Sequence, residues 1–150
     1  VNAWIPMTRT LNRNLEYIRK LYAPQDTLLE EINSALASMK MSIQVGAEEG
    51  KLLQFLIKTM QIKSIVEIGT LGGYSTLWMA RALPEDGSIY TLEKEAAHAE
   101  LATGFFTRDP CGRKITLLQG NAAETLQKLG SKGPFDMVFI DADKISYNIY

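Results

Sequence analysis

Cysteine and histidine are almost missing from this chain of 150 residues, which contains one of each. Cys111 has no partner for an intramolecular disulfide. With His98 as the only histidine, there is no Cys/His cluster that could form a structural zinc site. A single thiol in a chain of this size fits a reducing compartment, and we therefore expect a cytoplasmic protein.

Long apolar runs and an excess of one charge are missing too. No apolar stretch approaches the roughly 18 residues that a membrane span needs, and the first ten residues, VNAWIPMTRT, do not have the pattern of a secretory signal. Sixteen Lys+Arg against seventeen Asp+Glu leave a net charge of -1, so no basic field favours nucleic acid or an anionic membrane. The sequence therefore predicts neither a nucleic-acid nor a membrane partner.

The hydrophobic pattern changes near Ile62. Before this point apolar residues recur at helical spacing, and after it short aliphatic runs alternate with helical stretches. We expect one domain, with a helical N-terminal cap over residues 1–61 and an α/β core over 62–150. In the cap, Pro24 is expected to open one helix. A second helix is predicted over 47–60, with four aliphatic residues facing inward: Leu52, Leu53, Leu56 and Ile57.

The second part of the chain predicts a parallel sheet. Strands are expected at 64–68, 88–92, 115–119 and 135–140, with helices at 75–83, 95–106 and 122–129 between them. Asn121 is expected to cap the last helix, and Gly130 to take the left-handed conformation after it. In the order 3-2-1-4 the nearly continuous apolar strand 135–140 lies at an edge. Such a strand is typical of a sheet interior, so we expect a further C-terminal part of the domain, or another chain, to cover it.

A glycine-containing turn connects the first predicted strand to its helix. Gly69, Gly72 and Gly73 allow close approach of the backbone to a ligand, but the dinucleotide fingerprint would require glycine at position 71, which is Leu71. Glu93 closes the second strand, where a carboxylate can accept hydrogen bonds from a ribose diol. The turn and the glutamate together predict a site for an adenosine-containing ligand.

Acidic residues and a lysine follow the fourth predicted strand. Asp141, Asp143 and Lys144 lie at the rim where parallel sheets bind ligands. Carboxylate oxygens suit Mg²⁺ or Ca²⁺, and a lysine near a dication is a better proton acceptor. The alternative for this segment alone is that Asp141 caps a helix and Lys144 forms a surface ion pair.

Residues 66–75 together with 135–144 resemble the S-adenosylmethionine-dependent, metal-dependent O-methyltransferases, which include the caffeoyl-CoA and catechol O-methyltransferases. The resemblance runs from about Met41 to Tyr147. It implies a Rossmann-like class I methyltransferase sheet with extra N-terminal helices, whose C-terminal strands are missing from this chain. It also implies methyl transfer from S-adenosylmethionine to a hydroxyl of a small aromatic, catechol-like acceptor, with the assistance of a divalent cation, most simply Mg²⁺, by a homodimer.

The resemblance also assigns roles to individual residues. Asp141 is implied as a metal ligand and as a neighbour of the cofactor, Lys144 as the general base, and Met41 and Ile43 as the border of the acceptor pocket. The cofactor-binding set that it implies is Val45, Glu67, Gly69, Leu71, Ser75, Glu93, Ala122 and Asp141. His98 is expected on a solvated helix face, away from the site.

Two other functions compete with this interpretation. A NAD-dependent oxidoreductase would share Glu93 but is disfavoured by Leu71 and by the lysine-containing acidic turn. A non-catalytic domain that binds S-adenosylmethionine is the second alternative, because the family's Asp-Asn pair of further metal ligands does not occur after Lys144.

Overall fold

The computed structural model of the protein describes residues 13–41 and 43–142. Three helices precede the first strand, and strands and helices then alternate. The elements are α1 (Arg13–Tyr22), α2 (Thr27–Ser38), α3 (Ala47–Thr59), β1 (Ser64–Ile68), α4 (Tyr74–Ala82), β2 (Ser88–Glu93), α5 (Ala96–Phe106), β3 (Ile115–Gln119), α6 (Ala122–Leu129) and β4 (Met137–Ile140), with short 3-10 helices at Pro110–Lys114 and Gly130–Lys132. None of the helices in these ranges is long and apolar enough to cross a membrane.

The four strands form one parallel sheet in the order β3-β2-β1-β4. The parallel sheet expected from the alternation of strands and helices is confirmed, and its order is the 3-2-1-4 considered above. Ile68 pairs with Leu92 on one side and with Ile140 on the other. The chain therefore leaves β1, β2 and β4 at the same edge of the sheet, and the residues that follow these strands meet there.

Helices cover the two faces of the sheet unequally. On one face Ile65 and Ile89 pack with residues of α3 and α4 in a buried cluster. On the other face Val66 and Ile68 pack against Leu129 of α6. Helix α4 is buried along almost its whole length. The sheet lies on one side of it, and α2 and α3 pack against its other sides.

Two expectations for the N-terminal helices are wrong. Helix α2 begins at Thr27 rather than at Pro24, because the Asp26 carboxylate caps it by accepting a hydrogen bond from the Leu29 amide at 3.1 Å. In α3 only part of the expected apolar stripe is buried, since Leu52 is 55% and Leu56 is 37% exposed. The helix packs through a narrower face than its sequence indicated.

The fourth strand also differs from its prediction. It begins at Met137 because Asp136 is bound at the start of β1, where its carboxylate accepts hydrogen bonds from the Lys63 and Ser64 amides at 2.9 Å each. Val138 is 55% exposed, so the described residues do not cover both faces of this strand. At the end of α6, Gly130 has φ -54 and begins a 3-10 helix. The left-handed conformation expected for it is therefore wrong.

Arg81 at the end of α4 joins two acidic side chains, and its removal tests how the helical layer is held. Its guanidinium lies 2.8 Å from Asp26 and 2.7 Å from Asp109, whose side chain is 4% exposed. Arg81→Leu leaves Asp109 buried without its partner, and we expect the free energy of unfolding to fall by about 2 kcal/mol in urea denaturation. Arg113→Leu removes an exposed pair with Glu85 and should change it by less than about 0.5 kcal/mol. Equal losses in both variants would contradict the expected role of burial.

Candidate functional site

A cavity of about 600 Å³ lies at the carboxyl edge of the sheet. It brings together the segment before α3, the turn after β1, the ends of β2 and β4, and the start of α6. Of the residues predicted from the sequence to bind cofactor or acceptor, the following line it: Met41, Ile43, Val45, Gly69, Leu71, Ser75, Glu93, Ala122 and Asp141. Lys144 and Asp143 lie outside the described residues, so their predicted roles stay predictions.

The turn after β1 carries three residues in the left-handed region. Gly69 has φ 95, Leu71 has φ 51 and Gly73 has φ 80. Position 71 thus adopts a conformation that is uncommon for a leucine and costs about 1 kcal/mol or more. The Leu71 side chain packs against a buried core cluster.

Glu93 holds the glycine turn in place. Its Oε2 accepts hydrogen bonds from the Thr70 amide at 3.2 Å and from the Leu71 amide at 2.8 Å, and its Oε1 accepts one from the Glu95 amide at 2.9 Å. The residue is 8% exposed and reaches the cavity. The side chain predicted to bind ribose therefore also fixes the backbone that forms the cavity wall.

His98 is a site residue that the sequence analysis missed. Its imidazole lines the cavity, with Nδ1 3.6 Å from Glu93 Oε1 and a side chain that is 15% exposed. The expectation of a solvated helix face is wrong, because α5 begins directly after the end of β2 and its first turn lies beside Glu93. The short distance in sequence between Glu93 and His98 was the signal that could have identified it.

Glu67 lies beneath the cavity and does not line it. The residue is fully buried on β1 and accepts hydrogen bonds from the hydroxyls of Ser75, Thr76 and Thr91. Burial raises the pKa of its carboxyl to about 7, although these three hydrogen bonds act in the opposite direction. Its described contact with the site runs through Ser75, which does line the cavity, and direct contact with a cofactor stays a prediction.

The raised pKa of Glu67 makes the stability of the protein depend on pH. Between the ordinary value of 4.5 and about 7 the folded protein retains a proton that the unfolded chain has lost, so stability falls as the pH rises through this window. Between pH 5 and pH 8 we expect the unfolding free energy of wild type to fall by about 3 kcal/mol relative to that of Glu67→Gln, as measured by urea denaturation. Glu100→Gln, on the exposed side of α5, is the control and should follow wild type. Parallel profiles of Glu67→Gln and wild type would contradict the prediction.

Asp141 lies at the end of β4, across the cavity from Glu93. Its amide donates to the Ile68 carbonyl at 2.9 Å, which fixes the start of the loop against the turn after β1. Desolvation, followed by the negative charge of Glu49, raises the pKa of the Asp141 carboxyl. Two carboxylates that face the same region favour a positively charged group beside them.

A divalent cation is not established by this geometry. Across residues 13–41 and 43–142, no group of three or more His, Cys, Asp or Glu side chains is placed to hold a metal ion. Asp141 offers one suitable oxygen ligand, whereas Mg²⁺ and Ca²⁺ are held by several. The cation therefore stays a prediction.

The family follows from comparison with known proteins. A family model described as O-methyltransferase matches residues 20–150, and the chain belongs to this family. The fold agrees, because solved structures with the Rossmann-like sheet of class I methyltransferases superpose on it. An O-methyltransferase from Streptomyces achromogenes in complex with SAM has a TM-score of 0.87 and 35% identity, over 95% of this chain and 65% of that one. One from Bacillus cereus in complex with SAH has a TM-score of 0.82 and 36% identity, over 87% and 61%.

Curated proteins with similar sequences are also named as O-methyltransferases. A catechol O-methyltransferase of Niastella koreensis is 42% identical over 89% of this chain and 62% of its own length. A caffeoyl-CoA O-methyltransferase of Populus kitakamiensis is 34% identical over 89% of this chain and 60% of its own length. The chain thus spans about three fifths of the length of these relatives.

Proposed function

We propose that this chain forms the cofactor-binding part of an S-adenosylmethionine-dependent O-methyltransferase that acts on a hydroxyl of a small aromatic, catechol-like acceptor. The observation that carries the proposal is the convergence of the glycine turn, Glu93 and Asp141 on one cavity. Relatives named as catechol and caffeoyl-CoA O-methyltransferases support the acceptor class. Neighbours solved with SAM and SAH support the cofactor.

We assign residues of the cavity wall to the two ends of the cofactor. Glu93 and His98 lie at one side, where a carboxylate suits the ribose diol, with Ala122 nearby for the adenine. Val45, which precedes α3, and Ser75, in the first turn of α4, are assigned to the methionine end. The α4 helix begins there at Tyr74, and its free amides favour a carboxylate.

Met41 and Ile43 support an acceptor pocket beside the cofactor. Both line the cavity, and Ile43 is 74% exposed. An exposed aliphatic side chain at the cavity rim suits the face of an aromatic ring, because contact with the ring removes apolar surface from water. We infer that the acceptor enters from this side.

Catalysis would depend mainly on placement. When bound, the cofactor would supply a methyl group on a positively charged sulfur, with a neutral thioether as the leaving group. The task of the chain is to hold that oxygen near the methyl carbon, which contributes on the order of 7–11 kcal/mol through effective molarity. Lys144 would remove the hydroxyl proton as the attack proceeds.

Calorimetric titration with two ligands tests the class of cofactor. The chain is titrated in parallel with S-adenosylhomocysteine and with NAD, and we expect saturable binding of the first alone. Binding of NAD alone would overturn the proposal in favour of the oxidoreductase. Binding of S-adenosylhomocysteine without methyl transfer to catechol in the presence of S-adenosylmethionine and Mg²⁺ would support the non-catalytic alternative.

Lys144→Ala tests the proton-accepting step. We expect turnover with catechol to fall about 100-fold, because a positioned base contributes at least this factor, while the dissociation constant of S-adenosylhomocysteine changes less than twofold. Lys128→Ala, on the outer part of α6, is the control and should leave both quantities unchanged. If Lys144→Ala weakened cofactor binding as much as it lowered turnover, the proposed role of Lys144 as the base would be wrong.

Self-association also stays a proposal. Leu52 and Phe55 expose apolar side chains on the outer face of α3, at 55% and 62%, and large exposed apolar surfaces are often interfaces. A homodimer would bury part of this surface. Analytical ultracentrifugation should then show twice the monomer mass, and a monomer at micromolar concentration would contradict the homodimer.

A further inference from the structure

The Glu93 carboxylate reaches the cavity with most of its hydrogen-bonding capacity already used by the protein. An ionised carboxylate has two oxygens and about four acceptor positions. Oε2 accepts hydrogen bonds from the Thr70 and Leu71 amides at 3.2 and 2.8 Å, and Oε1 accepts one from the Glu95 amide at 2.9 Å. Within the described part of the chain, these three hydrogen bonds leave one acceptor position, on Oε1, for a ligand.

A ribose diol brings two hydroxyl groups to this position. Each hydroxyl can donate one hydrogen bond and can also accept. Because one acceptor position is open, Glu93 binds one of the two hydroxyls in good geometry, and the other needs a different partner. A hydroxyl that is buried without a partner costs about 1–3 kcal/mol. Binding of an intact diol therefore calls for a second polar group beside Glu93 Oε1.

His98 is a polar side chain in that position. Its Nδ1 lies 3.6 Å from Glu93 Oε1, and its side chain is 15% exposed and lines the cavity. This separation is too long for a direct hydrogen bond between the two groups. The two oxygens of a ribose diol lie slightly closer together than this, so one hydroxyl can reach Glu93 while its neighbour reaches His98.

The imidazole suits this contact in either of its neutral forms. Neutral imidazole has one N–H donor and one acceptor nitrogen, and a hydroxyl can serve as partner to both. The connection from β2 to α5 holds the ring near the carboxylate, because the Glu95 amide bonds Glu93 and α5 begins at Ala96. Lys94 and Glu95 also line the cavity, but both are exposed and have water as a partner.

We propose that His98 binds one hydroxyl of the cofactor ribose while Glu93 Oε1 binds the other, a contact that rests on the proposed function. Glu93 would then divide its carboxylate between the glycine turn and a single ribose hydroxyl. His98 would be the residue through which the site recognises the second hydroxyl, and so distinguishes an intact diol from a deoxyribose.

The test compares S-adenosylhomocysteine with its 2′-deoxy and 3′-deoxy analogues. Calorimetry measures the three ligands on wild type and on His98→Phe, which keeps a planar ring and removes both nitrogens. We expect the variant to bind S-adenosylhomocysteine and one deoxy analogue about tenfold more weakly than wild type does. The other analogue lacks the hydroxyl that His98 binds, and its affinity should stay within twofold of wild type.

Two further variants serve as controls. His98→Asn places an amide near the position of Nδ1 and should recover most of the affinity for S-adenosylhomocysteine. Glu100→Gln, on the exposed side of α5, should bind all three ligands as wild type does.

Other outcomes have different meanings. Equal weakening of all three ligands in His98→Phe would overturn the inference, because His98 would then act on Glu93 or on the cavity wall rather than on a hydroxyl. Unchanged affinity for S-adenosylhomocysteine would overturn it as well. If wild type binds none of the three ligands, the proposed function itself fails. Should His98→Phe not fold, as judged by circular dichroism, His98→Ala is expected to give the same difference between the two deoxy analogues.

Discussion

Gly69→Ala is expected to abolish measurable binding of S-adenosylhomocysteine and to lower the free energy of unfolding by about 2–5 kcal/mol. Gly69 has φ 95, a region that costs an alanine about 1–2 kcal/mol. A Cβ at this position would also overlap the carbonyl oxygen of Asp141. That backbone cannot retreat freely, because the Asp141 amide is hydrogen-bonded to the Ile68 carbonyl at 2.9 Å, and an overlap of this kind costs about 1–3 kcal/mol more.

The control for this substitution is another glycine in the same chain. Gly104 lies within α5, and a Cβ built there meets no atom within 4 Å. Gly104→Ala should therefore raise the free energy of unfolding by about 0.5–1 kcal/mol, through helix propensity, and leave ligand binding unchanged. Urea denaturation and calorimetry measure the two effects. Wild-type stability and affinity in Gly69→Ala would contradict the described geometry of the turn.

Glu93→Ala is expected to weaken S-adenosylhomocysteine binding about 1000-fold, or about 4 kcal/mol. The substitution removes the acceptor predicted for the ribose hydroxyls. It also leaves the amides of Thr70, Leu71 and Glu95 without the carboxylate that holds them, at about 1–3 kcal/mol for each amide that stays buried and unpaired. The ligand would lose a contact, and the turn that shapes its site would lose its anchor.

Calorimetric titration measures this loss, with Glu100→Ala on the exposed side of α5 as the control. We expect the control to bind with wild-type affinity. Glu93→Gln helps to separate the lost ribose contact from the lost anchor of the turn. It keeps one acceptor oxygen and should bind more tightly than Glu93→Ala. An affinity within threefold of wild type in Glu93→Ala would be incompatible with a role for this carboxylate at the site.

The regular elements of the core could be predicted well from local patterns. The strands at 64–68 and 115–119 and the helix at 122–129 have the predicted bounds, because an alternation of short aliphatic runs and capped helical stretches leaves few arrangements. The residue at which the last strand begins could not be predicted in this way. Phe135 extends the apolar pattern of the strand, yet Asp136 bonds the start of β1, a contact between residues far apart in the chain.

The site was predictable as a location rather than as a set of contacts. Residues that follow parallel strands meet at one edge, so Glu93, Asp141 and the glycine turn could be assigned to one ligand site from their positions alone. The family resemblance added Met41, Ile43 and Val45, which line the same cavity. His98 was not assigned, because its place in the cavity depends on how α5 starts.

The sequence by itself determined the parallel sheet and the edge at which the site lies, since these follow from the periodicity of apolar residues and the direction of each strand. Only the tertiary structure decided which of those residues contact one another. It placed Glu67 beneath the cavity, left Leu52 and Leu56 of α3 exposed, and gave Glu93 three amides to hold. The physical reason is that periodicity identifies the face of an element, whereas burial and hydrogen-bond partners depend on the neighbours that the fold brings to that face.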